Sequence, residues 1–134
     1  MKYVLGLDGG GTKTECVLMD VEKTVCAQGR SGPSNPLRVG FGGALAAVCE
    51  AARWTMQDAK VAPDDIAALC AGLAGTAAIE VARKIKKLLS EEYPNAIVHV
   101  CTDLELTLEA TGEGAAIVLV AGTGSAAVGR DSRG

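Results

Sequence analysis

The pattern of apolar positions predicts three short strands at the start of the chain. Residues 3–7 and 16–19 are apolar runs that are long enough for strands and too short for helices. A polar turn at 20–23 leads to a third predicted strand over 24–30. Because the links between these runs are short, the three strands should form an antiparallel meander.

Helical spacing appears in the middle of the chain. Apolar side chains at helical intervals predict an amphipathic helix over 43–60, after a loop over 31–43 that is rich in proline and glycine. A second helix is predicted after Thr76, a residue suited to be its N-cap, and a short helix is predicted over 104–110.

Four further strands decide the fold class. The continuous apolar runs 66–72 and 115–121 are typical of buried strands, 96–101 is a strand between them, and 126–129 is predicted to follow. Parallel neighbours need crossover connections, which the helices supply. The predicted fold is therefore α/β, with a mixed five-stranded sheet that joins the three-strand antiparallel meander to parallel strands, flanked by helices.

The composition is that of a single globular domain. The chain has 134 residues, of which 49% are apolar and 22% charged, and this is enough for one core. A net charge of −3 argues against nucleic acid as a partner. We expect neither a membrane span nor an N-terminal signal peptide, because no apolar run approaches the roughly 18 residues that a membrane helix needs.

Five cysteines are spread along the chain without a C-x-x-C pair. This spacing predicts reduced, mostly buried thiols in a cytoplasmic protein, and neither a disulfide framework nor a metal site. The single histidine, His99, lies in a predicted strand and is interpreted as a packed core or edge residue.

A glycine-rich loop separates the first two predicted strands. Three glycines follow Asp8, and Thr12 and Lys13 come directly after them. Glycine lets the backbone approach a ligand, successive N–H groups can hold an anion, and a carboxylate suits Mg²⁺. An ordinary glycine-rich hairpin has similar glycines, but the flanking Asp, Thr and Lys favour phosphate. A P-loop is excluded because a strand, and no helix, follows.

Two other residues and one segment each suggest more than one interpretation. Asn35 precedes a proline, and although its carboxamide would suit sugar hydroxyls, the residues alone favour a turn. Asp103 follows a predicted parallel strand, so it either faces a ligand crevice or caps a helix. The segment 122–125 with Ala127 matches a dinucleotide fingerprint in form, but the required helix and later acid are missing, so that interpretation fails.

The segment 7–14 resembles the first phosphate loop of the actin, sugar-kinase and Hsp70 superfamily. Within it, the segment is similar to the BadF/BadG/BcrA/BcrD ATPase family, which includes the N-acetylglucosamine and glucosamine kinases. Segments 31–35, 102–103 and 122–125 match further family motifs in the same order. The resemblance covers essentially the whole chain and implies a ribonuclease-H-like half-domain over 1–134, with a second, C-terminal domain absent from this chain.

The resemblance implies ATP-dependent phosphoryl transfer to an amino sugar or hexose, with ATP and Mg²⁺ as cofactors. It assigns Mg²⁺ to Asp8 and acceptance of the sugar hydroxyl proton to Asp103. The residues assigned to the ATP phosphates are Gly9, Gly10, Gly11, Thr12, Lys13, Gly122, Thr123 and Gly124. Those assigned to the sugar are Asn35, Asp103, Ser125 and Ala126. The chain departs from the sugar-kinase pattern at Leu104, Glu105 and Ala126, positions that bear on which sugar is bound.

Two other functions are compatible with these motifs. One is an ATPase that energises a partner reductase or dehydratase, although such activators carry a cluster-ligating cysteine pair and no convincing pair is visible here. The other is a sugar or nucleotide sensor without catalysis, against which the presence of Asp103 argues. A homodimer is compatible with each of these functions.

Overall fold

A computed structural model of the protein describes residues 2–121 and 125–134. Its main sheet has five strands in the order β3-β2-β1-β4-β5. The strands of this sheet are β1 (Tyr3–Gly9), β2 (Thr14–Asp20), β3 (Val25–Ser31), β4 (Ile66–Leu73) and β5 (Ile97–Cys101). The helices are α1 (Pro36–Ala59), α2 (Ile79–Glu92) and α3 (Asp103–Glu109), and a short 3-10 turn spans Pro63–Asp65. Strands β6 (Ala116–Ala121) and β7 (Ser125–Arg130) form a separate two-stranded sheet.

The pairing within the main sheet confirms the predicted mixed topology. Strands β1, β2 and β3 form the antiparallel meander, while β4 runs parallel to both β1 and β5. In register, Asp8 pairs with Gly72, and Gly72 pairs with Cys101. The carboxyl ends of the three parallel strands therefore lie at one edge of the sheet, which is where ligands collect in α/β sheets.

Helices cover both faces of the sheet. Leu7 and Gly29 lie on one face, where Gly29 packs against Thr55 of α1. Gly72 lies on the opposite face, where a Cβ built on it would lie 2.7 Å from Cβ of Leu106 in α3. The main core lies between the sheet and helices α1 and α2. Its fully buried members include Leu5, Leu18, Val48, Leu69, Ile85 and Leu89.

The start of α1 differs from the prediction. The helix begins at Pro36 and is kinked at Gly40, whose φ of 76° and ψ of 170° are not helical. Its first turn therefore lies in the segment predicted to be loop, and the predicted amphipathic helix is the part beyond the kink. Proline suits the first position of a helix, but the apolar periodicity starts only after Gly40, so the pattern alone missed this turn.

Thr76 does not cap α2. That helix begins at Ile79 with Ala78 as its N-cap residue. Thr76 is instead buried, and its hydroxyl donates to the carbonyl of Leu73 at 2.7 Å and lies 3.0 Å from the carbonyl of Cys101. It therefore links the ends of β4 and β5. The predicted capping role was wrong because a tertiary contact competed for the same hydroxyl.

The prediction that 115–121 forms a buried strand is also wrong. Among the described residues, β6 pairs with β7 alone, and Ile117 and Leu119 are 80% and 72% exposed. Apolar content predicts that a strand has a partner surface, but it does not say which element provides that surface. The hairpin packs mainly against α3 in the described part of the chain.

All five cysteines are free thiols, as predicted, but only Cys16 is buried and Cys26 is exposed. Burial raises the pKa of Cys16 and Cys49 to about 11, so both are protonated at neutral pH. His99 is exposed on the edge strand β5, which agrees with its interpretation as an edge residue. In the described part of the chain, no helix has the length and apolarity needed to cross a membrane.

We predict that Gly72→Ala separates α3 from the sheet. The new Cβ would overlap Leu106 close to its backbone, and such overpacking typically costs about 1–3 kcal/mol. Gly6→Ala is the matched control. Gly6 in β1 lies on the same face of the sheet as Gly72, and nothing lies within 4 Å of its Cβ position. Chemical denaturation should show a lower free energy of unfolding for Gly72→Ala only. Equal stability of the two variants would contradict the packing role of Gly72.

Candidate functional site

The glycine loop between β1 and β2 is a tight, exposed turn. The Gly10 N–H donates to the carbonyl of Lys13 at 2.9 Å, and Gly11, Thr12 and Lys13 are exposed at the tip. A Cβ built on Gly10 would approach nothing closer than 3.9 Å. The fold itself therefore tolerates a side chain at Gly10, and the glycine leaves the loop backbone open to a ligand.

Buried hydroxyls hold this loop against the segment after β3. Thr14 and Ser34 are both fully buried, and their hydroxyl oxygens are hydrogen-bonded at 2.7 Å. Thr14 Oγ1 also donates to the carbonyl of Gly32 at 2.8 Å, and the Ser34 N–H donates to the carbonyl of Gly10 at 3.1 Å. A Cβ on Gly9 would overlap the Ser34 hydroxyl. Gly9 is therefore needed for this close approach, unlike Gly10.

Asn35 is the N-cap of α1. Its Oδ1 accepts a hydrogen bond from the Leu37 N–H at 2.9 Å, which confirms the turn interpretation for that oxygen. The side chain packs on Gly75, whose φ is +85° and whose Cβ would lie 2.9 Å from Cγ of Asn35. No contact among the described residues engages the Asn35 amide nitrogen. That nitrogen is the group which a sugar would have to contact, so the substrate role stays a prediction.

The cap of α3 is Thr102, and Asp103 is the first helical residue after it. Thr102 Oγ1 accepts from the Glu105 N–H at 3.0 Å, and the Thr102 N–H donates to Glu105 Oε2 at 2.7 Å. This reciprocal pair is a capping box. The interpretation of Asp103 as a plain N-cap is therefore wrong. Within the described residues its half-buried carboxylate accepts no hydrogen bond and is available for a ligand.

The structure brings Asp8 and Asp103 together beside the glycine loop. Asp8 is exposed, on the face of the sheet that α3 covers. Its pKa is nevertheless raised from 3.8, mainly because neighbouring groups partly shield the carboxyl from water, and then by the negative charges of Asp103 and Glu15. Lys13 opposes these effects. A cation bound nearby would relieve the repulsion between the two carboxylates.

Two basic side chains beside the loop bind one acid. Glu15 Oε1 lies 2.9 Å from Nζ of Lys13 and 3.0 Å from Nη2 of Arg30. These hydrogen bonds lower the pKa of Glu15, led by the one from Lys13. The predicted phosphate ligand Lys13 is therefore paired with a carboxylate in this structure.

Arg38 is a residue that the sequence analysis missed. It lies in the first turn of α1, and its Nη1 is 3.1 Å from the position of a Cβ on Gly11. The contact depends on the helical turn before Gly40, which the apolar periodicity did not predict. The one sequence signal for Arg38 is that it is a basic residue three positions after Asn35, a predicted sugar ligand.

The predicted second phosphate loop is only partly described. Gly122, Thr123 and Gly124 lie outside the described residues. Ser125 and Ala126 are exposed in β7, paired with Ala121 and Val120 of β6. Their assignment to the sugar stays a prediction.

The donor set at Asp8 fits Mg²⁺ only with help from other ligands. In residues 2–121 and 125–134, no group of three or more His, Cys, Asp or Glu side chains is arranged to hold a metal ion. Mg²⁺ usually keeps several waters and binds through one or two carboxylates and substrate phosphates. Asp8, with Asp103 near it, matches that pattern, so water and phosphate oxygens would have to complete the coordination.

The fold and the open glycine loop define a ribonuclease-H-like domain of the kind found in actin-like sugar kinases. A ROK family glucokinase from Streptomyces griseus, solved in complex with glucose and AMPPNP, has this fold. It superposes with a TM-score of 0.70 at 18% identity, over 98% of this chain and 45% of that chain. The model of the BadF/BadG/BcrA/BcrD ATPase family matches residues 5–134, so the chain belongs to that family.

Two curated relatives are similar in sequence. The glucosamine kinase of Vibrio cholerae is 28% identical over 131 residues, which cover 96% of this chain and 43% of the relative. The N-acetylmuramic acid/N-acetylglucosamine kinase of Clostridium acetobutylicum is 29% identical over 144 residues, covering 100% of this chain and 44% of the relative. The chain thus spans less than half the length of the curated relatives it matches.

We predict that Asp8→Asn stabilises the ligand-free protein at neutral pH. Because folding raises the pKa of Asp8, its ionisation opposes folding above that pKa, and the amide removes this cost. The gain should stay below about 1 kcal/mol, since water screens an exposed carboxylate.

The gain should disappear as the pH falls below 3.8, where the carboxyl is protonated in both folded and unfolded chains. Thermal unfolding between pH 3 and pH 8 would measure it, with Glu50→Gln on the exposed face of α1 as the control. A neutral-pH loss of stability in Asp8→Asn alone would contradict the repulsion.

Proposed function

We propose that this chain is the phosphate-binding half of an ATP-dependent carbohydrate kinase that transfers a phosphoryl group to a hydroxyl of an amino sugar or hexose. The observation that carries the proposal is that the strand register brings Asp8, at the end of β1, and Asp103, directly after β5, to the same edge of the sheet beside the glycine loop. The family membership and the kinase relatives support it.

Phosphoryl transfer depends mainly on positioning and on neutralising charge. In this proposal the carboxylate of Asp8 would help to hold Mg²⁺, which when bound would supply positive charge to the ATP phosphates. The glycine loop 9–13 lines the phosphate site; the N–H groups at its exposed tip, residues 11–13, bind phosphate oxygens, while the Gly10 N–H closes the turn on the carbonyl of Lys13. Asp103 accepts the proton of the attacking sugar hydroxyl, a role for which a carboxylate free of hydrogen bonds is suited.

The relatives support an amino sugar as the first substrate to test, with other hexoses next. Their names include glucosamine, N-acetylglucosamine and N-acetylmuramic acid. Leu104, Glu105 and Ala126 depart from the sugar-kinase pattern. Glu105 completes the capping box of α3, and this structural role explains why a glutamate stands at that position.

The open site requires an opposing wall. Asp8 and the tip of the glycine loop are exposed, and productive transfer needs closure that orients the reactants and excludes water. We propose that a second domain provides this wall and the adenosine pocket. The exposed apolar side chains of β6 would pack against that domain. On this basis residues 1–134 alone should bind ATP weakly and transfer no phosphate.

An ATPase that activates a partner enzyme is the second candidate. Cys70 and Cys101 lie on one face of the adjacent strands β4 and β5. Burial, followed by the neighbouring Cys70, raises the pKa of Cys101 to about 12, which favours thiols over metal-binding thiolates. The free carboxylate of Asp103 favours the kinase over this activator and over a sensor. The reduced thiols fit a cytoplasmic protein, and a homodimer stays a prediction.

We predict that Asp103→Asn in the protein extended by its second domain lowers sugar phosphorylation by roughly 10² to 10⁴-fold while ATP binding survives, because only the base is lost. A coupled assay with glucosamine, N-acetylglucosamine and glucose measures the turnover. Glu80→Gln is the control, since Glu80 is also an acid in the first turn of a helix.

Two outcomes would contradict this assignment. Activity of Asp103→Asn within a few-fold of the unaltered protein would remove Asp103 from the mechanism. No stimulation of ATP turnover by any hexose or amino sugar would reject the kinase, and iron bound after anaerobic purification would then favour the activator.

Two substitutions separate the capping role of Asn35 from its proposed sugar contact. Serine is an equally good N-cap but lacks the amide nitrogen, whereas alanine loses both groups. We predict that Asn35→Ser and Asn35→Ala both raise KM for the sugar and leave background ATP hydrolysis nearly unchanged. Only Asn35→Ala should also lose about 1 kcal/mol of stability. A wild-type KM in Asn35→Ser would show that Asn35 is a cap and nothing more.

A further inference from the structure

We propose that Arg38 is a phosphate-binding residue, and that it, more than Lys13, supplies the positive charge that the glycine loop offers to the ATP polyphosphate. This inference rests on the proposed function, since it concerns the same site. It assigns a role to a residue outside the glycine motif.

The geometry places the Arg38 guanidinium directly over the loop tip. Its Nη1 lies 3.1 Å from where a Cβ of Gly11 would be, a separation tighter than most real Cβ contacts. The backbone of Gly11 does not have positive φ, so its conformation does not require glycine. A side chain at Gly11 would have to displace the guanidinium slightly, so the glycine leaves room for Arg38 beside the loop.

The local fold holds Arg38 in this position. The first turn of α1 is fixed by the Asn35 cap, and the Arg38 N–H donates to the carbonyl of Asn35 at 3.0 Å. The neighbouring Ser34 is bonded to the loop through the carbonyl of Gly10 and the hydroxyl of Thr14. The loop and the turn that carries Arg38 are therefore parts of one hydrogen-bonded unit.

The charges around the loop distinguish Arg38 from its basic neighbours. Lys13 and Arg30 both bind Glu15. No carboxylate within the described residues forms an ion pair with Arg38, whose side chain is exposed. A phosphate at the loop would compete with Glu15 for Lys13, but it would meet Arg38 without such competition.

The chemistry of the guanidinium suits this ligand. Its planar fork of N–H donors can bind two phosphate oxygens at once, which an ammonium group cannot do in a fixed orientation. Together with the loop N–H groups it would form a pocket with donors from two elements. The ligand class is a nucleoside triphosphate, recognised here through its polyphosphate and not through its base.

The test uses the protein with its second domain and measures binding of MgATP, tripolyphosphate and adenosine by calorimetry. Arg38→Gln should weaken MgATP and tripolyphosphate about 10-fold or more, the usual effect of losing a charged hydrogen bond, and leave adenosine unchanged. The MgATP affinity of Arg38→Lys should lie between those of the unaltered protein and Arg38→Gln. Lys13→Gln should change MgATP affinity only a few-fold. The control is Arg53→Gln, an exposed arginine of α1 that stacks on Trp54.

A second measurement reports the charge directly. The dependence of MgATP affinity on salt should be weaker in Arg38→Gln than in the unaltered protein, because one phosphate-binding cation is missing. If Arg38→Gln bound MgATP within twofold of the unaltered protein, this inference would be wrong and the proposed function would stand. The same conclusion would follow if Arg38→Gln lost as much affinity for adenosine as for MgATP. Failure of the unaltered protein to bind MgATP would overturn the proposed function, and this inference with it.

Discussion

The site depends on one buried hydrogen bond between two hydroxyl groups. Thr14 and Ser34 are fully buried, and their oxygens lie 2.7 Å apart where the start of β2 meets the segment after β3. A buried hydroxyl without a partner would cost about 1–3 kcal/mol, so Thr14, whose own hydroxyl also bonds the carbonyl of Gly32, holds the Ser34 hydroxyl in place. Through Ser34 this contact fixes the backbone at Gly10, and through the adjoining turn it sets the positions of Asn35 and Arg38.

The carboxylates show a balance between function and stability. Asp8 and Asp103 repel each other at the open edge of the sheet, and Asp8 is partly shielded from water. An arrangement like this weakens the ligand-free fold and favours a bound cation, which is common where titratable groups serve a site. The buried hydroxyl pair and the capping box of α3 offset that cost locally, because they anchor the backbone on both sides of the acids.

Much of the fold was predictable because its signals are local. Short links between β-type runs led to the meander, and helices between strands led to the parallel pairing of β1, β4 and β5. The errors came from positions with competing partners. Thr76 has the chemistry of a cap and instead links two strand ends, and β6 has the composition of a core strand without a covering element in the described residues.

The sequence by itself determined the strands, the glycine loop and the acids at the strand ends, because these follow from the spacing and chemistry of neighbouring residues. Only the tertiary structure decided which of them meet. Asp8 and Asp103 are 95 positions apart in the chain, and they come together because β1 and β5 flank β4 in register. Arg38 reaches Gly11 because the first turn of α1 follows Ser34, whose N–H is bonded to the loop carbonyl of Gly10. Both contacts depend on three-dimensional packing, which the order of residues encodes but local patterns do not reveal.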